Sequence, residues 1–408
     1  MAEPTERALD VVLLGATGFV GRLTAAHLAR SAPPGLRVAL AGRSAERLAT
    51  LRDELGHGAA GWELRTTDVT DHAALDRLAR ETRVLVTTVG PYARWGLPVV
   101  AACAAAGTHY ADLTGETLFA RASVAASHAD AQASGARVVH SCGFDSIPSD
   151  LGVRLVADAA AADGEGTPGE TALHVRDMRG GLSGGTVDSL RQQLIEVEGD
   201  PARRRLLTDP DALTGGIATR RGRRGHATLT RDERSGVWSA PFVMAPYNRQ
   251  VVLRTDALLG AAYGPAFDYR EVVDTVTGPL GAVAAAAVAG AQGVLVGSLA
   301  TRATRLVADR VLPAPGAGPS EAARRRGRFA VEVETTTTTG ARYVATVAAP
   351  YDPGYEGTAV LLGESALALA LDALPDAAGV LTPMTGIGTG LADRLRPHRF
   401  EIGVRRLA

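Results

Sequence analysis

The segment from Val11 to Gly21 constrains the fold of this 408-residue chain more than any other stretch. An apolar run, Val11–Leu14, is typical of a buried parallel strand, and residues at helical spacing follow the glycines. Glycines spaced in this way allow a tight turn, the close approach of a pyrophosphate and close packing of the helix on the strand. The pattern predicts a dinucleotide site; the alternative is a turn that binds no ligand. The predicted turn residues are Gly15, Ala16, Thr17, Gly18, Phe19, Val20 and Gly21.

The end of the next predicted strand indicates which dinucleotide is bound. The predicted strand at 37–41 is apolar after Arg37 and leads into Gly42-Arg43-Ser44. An NAD site usually has Asp or Glu at this place, where the carboxylate binds the ribose 2′-hydroxyl. Arg43 instead offers a guanidinium that suits a 2′-phosphate, and Ser44 can cap the following helix and donate to the same phosphate. We therefore predict NADP(H); the alternative is that Arg43 is a solvated loop residue.

Composition excludes several functional classes. The formal net charge is -1, so nothing indicates a nucleic-acid partner. All 43 basic residues are arginine, which excludes a P-loop, a Schiff-base lysine and the Tyr-x-x-x-Lys pair of short-chain dehydrogenases. Cys103 and Cys142 form no Cys-x-x-Cys unit, and no metal site is predicted. Residues 1–10 do not resemble a signal peptide, so the expected location is cytoplasmic.

The order of predicted elements indicates two kinds of sheet. Residues 8–150 alternate between strands and helices, as in a doubly wound parallel sheet. A polar, glycine-containing segment at 157–170 is expected to be a surface connection. Alternating apolar and polar residues then predict an antiparallel sheet with one buried face. The strands that carry this second pattern are expected at 171–178, 329–338 and 342–348.

Polar residues cluster at three predicted strand ends, within 87–92, 108–116 and 141–150. Ligands of open α/β sheets bind beyond these carboxyl ends. Tyr92 and Tyr110 are candidate proton donors, and Asp112 and Glu116 could tune them or bind substrate. The alternative is that these side chains only cap helices and shape turns. Residues predicted to line the cofactor are Asp68, Val69, Val89, Gly90, Pro91, Tyr92, Cys142, Gly143, Phe144 and Asp145.

Three further features remain open. Gly181-Leu-Ser183-Gly-Gly185 fits a hydrolase nucleophile motif, but we favour a helix N-terminus facing the substrate. The arginine runs at 203–205, 220–224 and 324–326 are either solvated surface or a binding site for an acidic carrier protein. Residues 275–301 carry no charge but are rich in Ala and Gly, so a buried or interfacial helix is expected rather than a bilayer span.

The whole chain resembles the saccharopine dehydrogenase-like oxidoreductases, and most closely the bacterial trans-acting enoyl reductases. The resemblance implies NADPH-dependent reduction of a C=C bond in a polyketide or lipid intermediate held on an acyl carrier protein, with Tyr92 or Tyr110 supplying a hydrogen bond or a proton. The stretches that carry it are Gly15–Gly21, Ala41–Ser44, Val89–Tyr92, Gly107–Glu116, Cys142–Asp150, Gly180–Thr186, Gly318–Glu321 and Gly379–Pro383.

The fold that the resemblance implies is α/β, with a Rossmann doubly wound parallel sheet and an inserted α+β domain that contains an antiparallel sheet. The Rossmann domain is expected at 1–149 plus 380–408, and the substrate domain at 150–379. Two alternative functions stay open: an NADP-dependent reductase of C=N or C=O in a small metabolite, and a cofactor-binding protein without turnover. A homodimer and peripheral contact with a membrane are further expectations.

Overall fold

The computed structural model describes residues 7–180, 184–217, 229–308, 310 and 318–408. These residues form two compact units. The first contains 7–147, 318 and 354–398, and the second contains the remaining described residues. The predicted motif at Gly181–Gly185 lies partly outside the described residues, and the arginine run at 220–224 lies wholly outside them.

The described residues contain fourteen strands. In chain order these are β1 (Leu9–Leu14), β2 (Val38–Gly42), β3 (Glu63–Thr66), β4 (Thr82–Thr87), β5 (His109–Ala111), β6 (Arg137–Val139), β7 (Pro168–Arg179), β8 (Thr230–Arg231), β9 (Val237–Pro241), β10 (Asp268–Thr277), β11 (Arg328–Thr337), β12 (Arg342–Ala349), β13 (Gly379–Leu381) and β14 (Glu401–Leu407).

Fifteen α-helices accompany them. These are α1 (Phe19–Ser31), α2 (Ala45–Leu55), α3 (His72–Glu81), α4 (Tyr92–Ala106), α5 (Thr117–Ser134), α6 (Ile147–Ala162), α7 (Gly184–Glu196), α8 (Pro201–Leu206), α9 (Ala245–Leu258), α10 (Gly278–Ala300), α11 (Arg302–Ala308), α12 (Glu321–Arg324), α13 (Thr358–Leu371), α14 (Pro383–Gly386) and α15 (Leu391–Leu395).

The first unit is built on a seven-stranded sheet in the order β13-β6-β5-β4-β1-β2-β3. Every neighbouring pair in it is parallel. Strands β1 and β4 lie where the winding of the sheet reverses, and the crevice at such a point is where doubly wound sheets bind ligands. The central strands are buried on both faces, as their apolar sequences predict. The predicted Rossmann sheet is therefore confirmed.

The second unit contains a mixed sheet in the order β14-β12-β11-β7-β10-β9-β8. The pair β7–β10 is parallel, and the other pairs are antiparallel. Strand β11 alternates between half-buried and buried residues along its whole length, which is the pattern that predicted this sheet. The parallel pair was not predicted, because alternation indicates burial and does not give strand direction.

The end of the chain is divided differently from the predicted domains. Residues 354–379, which include the buried helix α13, group with the first unit. Strand β13 joins the parallel sheet beside β6, whereas β14 pairs with β12 in the mixed sheet. The prediction of a surface connection at 157–170 was wrong for most of that segment, because α6 continues to Ala162 and β7 begins at Pro168.

The uncharged stretch 275–301 forms α10, as predicted. The expected alternatives were a buried or an interfacial helix; burial is wrong, and the interfacial setting stays a prediction. Among its residues only Gly281, Ala285 and Leu299 are buried. By length and composition alone, α10 is the one described helix that could cross a membrane, and 11% of its most apolar window is buried. A helix that is apolar on all sides gives no periodicity from which its burial could be predicted.

Candidate functional site

The glycine turn after β1 has the geometry that close backbone approach requires. Gly15 has a φ of +85°, a left-handed conformation that favours glycine. A Cβ atom built on Gly21 would lie 2.2 Å from the carbonyl oxygen of Gly15, so Gly21 is needed for α1 to pack against the turn. A Cβ atom on Gly18 would meet only that same oxygen, at 3.3 Å. Packing within the turn therefore does not by itself explain why residue 18 is glycine.

A cleft of about 500 Å³ opens beside this turn, within the first unit. It lies beyond the carboxyl ends of four neighbouring strands, β3, β2, β1 and β4. The N-cap residue of α1 is Gly18, which has no side chain to cap the helix, and the positive end of the helix is suited to an anion. The residues that line the cleft are Leu14, Gly15, Thr17, Gly18, Gly42, Arg43, Arg47, Thr67, Asp68, Val69, Thr70, Thr88, Val89, Gly90 and Trp95.

Two arginines lie at the end of β2. Arg43 is exposed to the cleft, as predicted, and Arg47 follows one helical turn later on α2. Nη2 of Arg47 donates to the carbonyl oxygen of Thr17 at 3.2 Å, which holds its guanidinium beside the glycine turn. The side chain of Ser44 accepts from the backbone N–H of Arg47 at 3.3 Å, so Ser44 caps α2 as predicted. We did not predict that Arg47 also lines the cleft, although its four-residue spacing from Arg43 was visible in the sequence.

Asp68 forms the rim of the cleft at the end of β3. Its Oδ1 accepts hydrogen bonds from the backbone N–H and the hydroxyl of Thr70, at 2.9 and 2.8 Å. These bonds, and then the nearby positive charge of Arg43, lower the pKa of Asp68 below its usual value. The carboxylate is thus held in a fixed, ionised form beside Arg43 and Val69.

The residues of this cleft fit an NADP molecule. Gly18 has no side chain and so leaves room for a pyrophosphate, and the N-terminus of α1 supplies positive potential. The guanidinium groups of Arg43 and Arg47 supply two cations for a 2′-phosphate. Thr88, Val89 and Gly90 line the cleft after β4, and the Thr88 hydroxyl donates to the Gly15 carbonyl at 3.1 Å.

Tyr92, which follows the end of β4, is hydrogen-bonded to Glu116, and neither residue lines the cleft. The Tyr92 hydroxyl donates to the carbonyl oxygen of Thr87 at 3.2 Å and accepts from the backbone N–H of Leu113 at 3.1 Å. The Glu116 carboxylate accepts backbone hydrogen bonds from Tyr92 and Ala93. Burial, and then the charge of Asp112, raise the pKa of Tyr92 well above its usual value, so the phenol keeps its proton.

Tyr110 and Asp112 belong to a second buried network. Oδ2 of Asp112 accepts from the Tyr110 hydroxyl at 2.9 Å and lies 2.8 Å from Nδ1 of His140. The other ring nitrogen of His140 lies 2.8 Å from the Ser123 hydroxyl. Oδ1 of Asp112 accepts from the backbone N–H of Ser141 at 3.0 Å, which joins the ends of β5 and β6. Burial, with Asp112 next, raises the pKa of Tyr110 well above its usual value.

The third predicted cluster follows β6. The backbone N–H of Cys142 donates to the Asp112 carbonyl at 2.7 Å, and that of Phe144 donates to the Thr358 hydroxyl at 3.1 Å. A Cβ atom on Gly143 would lie 2.9 Å from Leu113, so this loop is closely packed. Asp145 is half-buried, has no hydrogen-bond or ion-pair partner among the described residues, and has a pKa that burial raises to about 6.

The structure therefore sorts the predicted site residues into two groups. Eight of them line the cleft: Gly15, Thr17, Gly18, Arg43, Asp68, Val69, Val89 and Gly90. The remaining ones are not among its lining residues: Ala16, Phe19, Val20, Gly21, Ser44, Pro91, Tyr92, Tyr110, Asp112, Glu116, Cys142, Gly143, Phe144 and Asp145. Phe19 packs edge-on against Tyr355, with ring centroids 4.9 Å apart.

The contacts of His140 with Asp112 and Ser123 were not predicted, because nothing in the local sequence marks a contact between distant segments.

One cluster of possible metal ligands also occurs in the first unit. Nε2 of His27 and Nε2 of His398 lie 2.7 and 3.0 Å from the same carboxylate oxygen of Glu364. Arg394 lies 3.3 Å from the other oxygen of that carboxylate. The neighbouring guanidinium and the short nitrogen–oxygen distances describe an ion-paired, hydrogen-bonded group that ties α1 to α13.

Comparisons with known proteins agree with this site. The profile of the saccharopine dehydrogenase NADP binding domain matches residues 11–139. A Mycobacterium tuberculosis protein (strain ATCC 25618 / H37Rv), provisionally named a trans-acting enoyl reductase, is 47% identical over 99% of both chains. A trans-acting enoyl reductase of the same strain is 44% identical over 99% of this chain and 100% of its own. One from Mycobacterium ulcerans (strain Agy99) is 44% identical over 98% and 99%.

A solved structure supports the fold. Apo saccharopine dehydrogenase (L-Glu forming) from Saccharomyces cerevisiae aligns with a TM-score of 0.52 and 14% identity, over 98% of this chain and 99% of that one. At this identity the likeness concerns the fold alone. The NADP-binding domain and the full-length relatives lead to one conclusion: the chain is an NADP(H)-dependent oxidoreductase that belongs to the saccharopine dehydrogenase-like family of trans-acting enoyl reductases.

Proposed function

We propose that this protein reduces the C=C bond of an α,β-unsaturated acyl thioester, a polyketide or lipid intermediate carried by a separate carrier protein. One observation carries the proposal: full-length relatives at 44–47% identity are named trans-acting enoyl reductases. The cleft is consistent with it, because its two arginines favour the phosphorylated dinucleotide that reductive biosynthesis uses.

The residues that would hold the cofactor follow from the cleft. The turn at Gly15 and Gly18 and the N-terminus of α1 would hold the pyrophosphate. Arg43 and Arg47 would hold the 2′-phosphate by charge-assisted hydrogen bonds. Thr88 and Gly90 would border the reactive end, because they follow β4 on the other side of the reversal point. When bound, NADPH supplies the hydride for the substrate's β-carbon.

The chain must then donate a hydrogen bond to the enolate oxygen of the substrate and a proton to its α-carbon. Tyr92 and Tyr110 hold their protons at neutral pH, but both hydroxyls donate to protein oxygens. Asp145 is the other candidate. It is half-buried in the loop that follows the carboxyl end of β6, and its pKa of about 6 allows it to carry and release a proton near neutrality. We propose that Tyr92 and Tyr110 position the strand ends and that Asp145 holds the mobile proton.

The carrier protein is expected to bind through arginines. Arg203, Arg204 and Arg205 on α8 are exposed and have no ion-pair partner among the residues that the structure describes. By contrast, Arg325 of the run at 324–326 pairs with Glu321 at 2.5 Å. Carrier proteins that present acidic surfaces would be attracted to the α8 arginines, with a strength that falls as salt screens the charges.

NADPH oxidation with matched substrates tests both parts of the proposal. The same enoyl group is presented on a carrier protein and on a small free thioester, with a small imine and a ketone as competing substrates. Enoyl reduction with preference for the carrier is expected. Rising salt and Arg204→Glu should raise KM for the carrier-bound substrate alone, and Arg325→Glu is the charge-matched control. Turnover of only the imine or the ketone would contradict the enoyl assignment; equal salt responses would contradict carrier docking.

A further inference from the structure

The outer face of α10 is apolar and uncovered within the second unit. The helix packs by its other side against β9, β10 and α7. Outward side chains remain far more exposed than their hydrophobicity favours: Leu280 at 77%, Val283 at 67% and Val294 at 73%. The outer face consists of Leu280, Val283, Ala287, Gly290, Val294 and Gly297, all of which are exposed. Monomeric proteins rarely expose a continuous apolar strip of this length.

Polar residues of α10 turn away from this face. The Gln292 amide donates to the carbonyl oxygen of Pro241 at 3.0 Å, and the Ser298 hydroxyl donates to that of Leu295 at 2.7 Å. The outer-face positions follow one another by three, four, three, four and three residues. This is the spacing at which one helix contacts another along its length.

The side chains on the outer face are self-complementary. If a second α10 crosses antiparallel with its two-fold axis between Ala287 and Gly290, each residue of the outer face meets another residue of that face in register. Leu280 faces Gly297, Val283 faces Val294, and Ala287 faces Gly290 of the other copy. A Cβ atom on Gly290 or Gly297 would have no described atom within 4 Å, so packing among the described residues requires neither glycine.

We propose that the outer face of α10 packs against the same face of a second copy of this chain, as an antiparallel two-fold dimer. The helix is about 34 Å long and ~10 Å wide, so half of its surface is about 500 Å². Burying this area on both copies gives about 1,000 Å², the lower limit for a stable biological interface. The adjoining α11 exposes Leu306 and Val307, each at 62%, which can add to the contact.

A second helix explains this face better than a lipid surface does. Helices that lie in a membrane interface have aromatic or long apolar residues on one side and Lys or Arg along the other. The outer face of α10 has no aromatic residue and no cation, and two of its six positions are glycine. Glycine weakens an exposed helix and contributes no apolar area, but it allows another helix backbone to approach closely.

Cysteine cross-linking tests the predicted register. The chain has two native cysteines, Cys103 and Cys142, and both are buried. Chains with Val283→Cys and chains with Val294→Cys are mixed and oxidised. A disulfide-linked pair should form in the mixture and be nearly absent with either variant alone, because identical positions in the antiparallel pair are about 16 Å apart along the axis. Cross-linking of a single variant with itself would contradict the antiparallel register.

Sedimentation velocity tests the dimer in the unmodified chain. The wild type should sediment at twice the chain mass of 42.1 kDa, and Val294→Glu should raise the dimer Kd at least tenfold. Val404→Glu, at an exposed valine on β14, is the matched control and should remain dimeric. A monomeric wild type, or a dimer that Val294→Glu leaves intact, would overturn the proposal. Wild-type monomers that float with phosphatidylcholine and phosphatidylglycerol vesicles, but not after Val294→Glu, would assign the face to a membrane instead.

Discussion

The carboxylate of Glu116 caps the helix that begins at Tyr92, accepting backbone hydrogen bonds from Tyr92 at 3.0 Å and Ala93 at 2.7 Å. The first N–H groups of a helix have no partner within it, and they form its positive end. Glu116 is fully buried, so these amides supply the hydrogen bonds that water would otherwise give its carboxyl oxygens. These bonds give Glu116 a structural role that does not require it to react with substrate.

Removing the Glu116 cap should lower stability. We expect Glu116→Ala to reduce the free energy of unfolding by ~1–3 kcal/mol, since two backbone donors lose their acceptor. Glu116→Gln keeps one acceptor oxygen and should cost less than Glu116→Ala. Urea denaturation of both variants measures the difference. A normal midpoint for Glu116→Gln together with complete loss of NADPH oxidation would show instead that the carboxylate acts in the reaction.

Tyr110→Phe separates a positioning role from proton donation. The variant removes one buried hydrogen bond to Asp112, which retains the hydrogen bond from Ser141 and its contact with His140. We expect a loss of ~0.5–1.5 kcal/mol in unfolding free energy and a kcat within a few-fold of the wild type. A 100- to 10,000-fold fall in kcat, roughly what a general acid contributes, with unchanged stability would make Tyr110 the proton donor.

Cofactor preference should depend on both arginines at the end of β2. Arg43→Ala or Arg47→Ala removes one cation from the cleft and should weaken NADPH binding by about 1.5–3 kcal/mol, or about 10- to 150-fold. NADH binding should change little, because NADH has no 2′-phosphate. Fluorescence titration of both nucleotides checks this. Arg52 on α2 is half-buried and does not line the cleft, so Arg52→Ala is the control. Full NADPH preference in both Arg43→Ala and Arg47→Ala would exclude these arginines from the phosphate site.

Local pattern was sufficient to predict the elements around the cofactor cleft. The apolar run Val11–Leu14 lies in β1, and Ser44 caps the helix after β2, both as predicted. Contacts between distant segments could not be predicted in this way. The Glu116–Tyr92 cap and the His140–Asp112 contact join different strand ends, and the pairing of β14 with β12 depends on packing of the whole sheet.

Substitutions at two glycines of the turn after β1 should impair the protein in different ways, one through NADPH binding and the other through stability. Gly18→Val would place a side chain in the cleft, so NADPH binding should be lost while the thermal midpoint of the apo protein stays close to that of the wild type. Gly21→Ala would force a Cβ atom to within 2.2 Å of the Gly15 carbonyl oxygen and should lower the thermal midpoint itself. Thermal melts with and without NADPH distinguish the two effects. Unchanged NADPH affinity in Gly18→Val would remove the pyrophosphate from this turn.

Asp145 should make stability and turnover depend on pH in the range between about 4 and 6. Its pKa is raised to about 6 in the folded chain, against ~3.9 when unfolded. Between these values the folded state holds a proton that the unfolded state has released. The stabilisation that protonated Asp145 gives the folded state is therefore present below pH ~4 and is lost as pH rises through about 6.

As the pH rises from ~4 to about 6, the free energy of unfolding of the wild type should consequently fall relative to that of Asp145→Asn, by at most about 3 kcal/mol. Above pH ~6 the difference between the two proteins should stay constant. Denaturation at pH 4.5 and 7.5 measures this, with Asp130→Asn on α5 as an exposed control. If Asp145 also delivers the proton, kcat of the wild type should fall above pH ~6, because the ionised form has no proton to donate. Asp145→Asn should then be slow at every pH. An Asn variant with the wild-type pH profile and kcat would leave Asp145 as a structural carboxyl and return proton donation to Tyr92 or Tyr110.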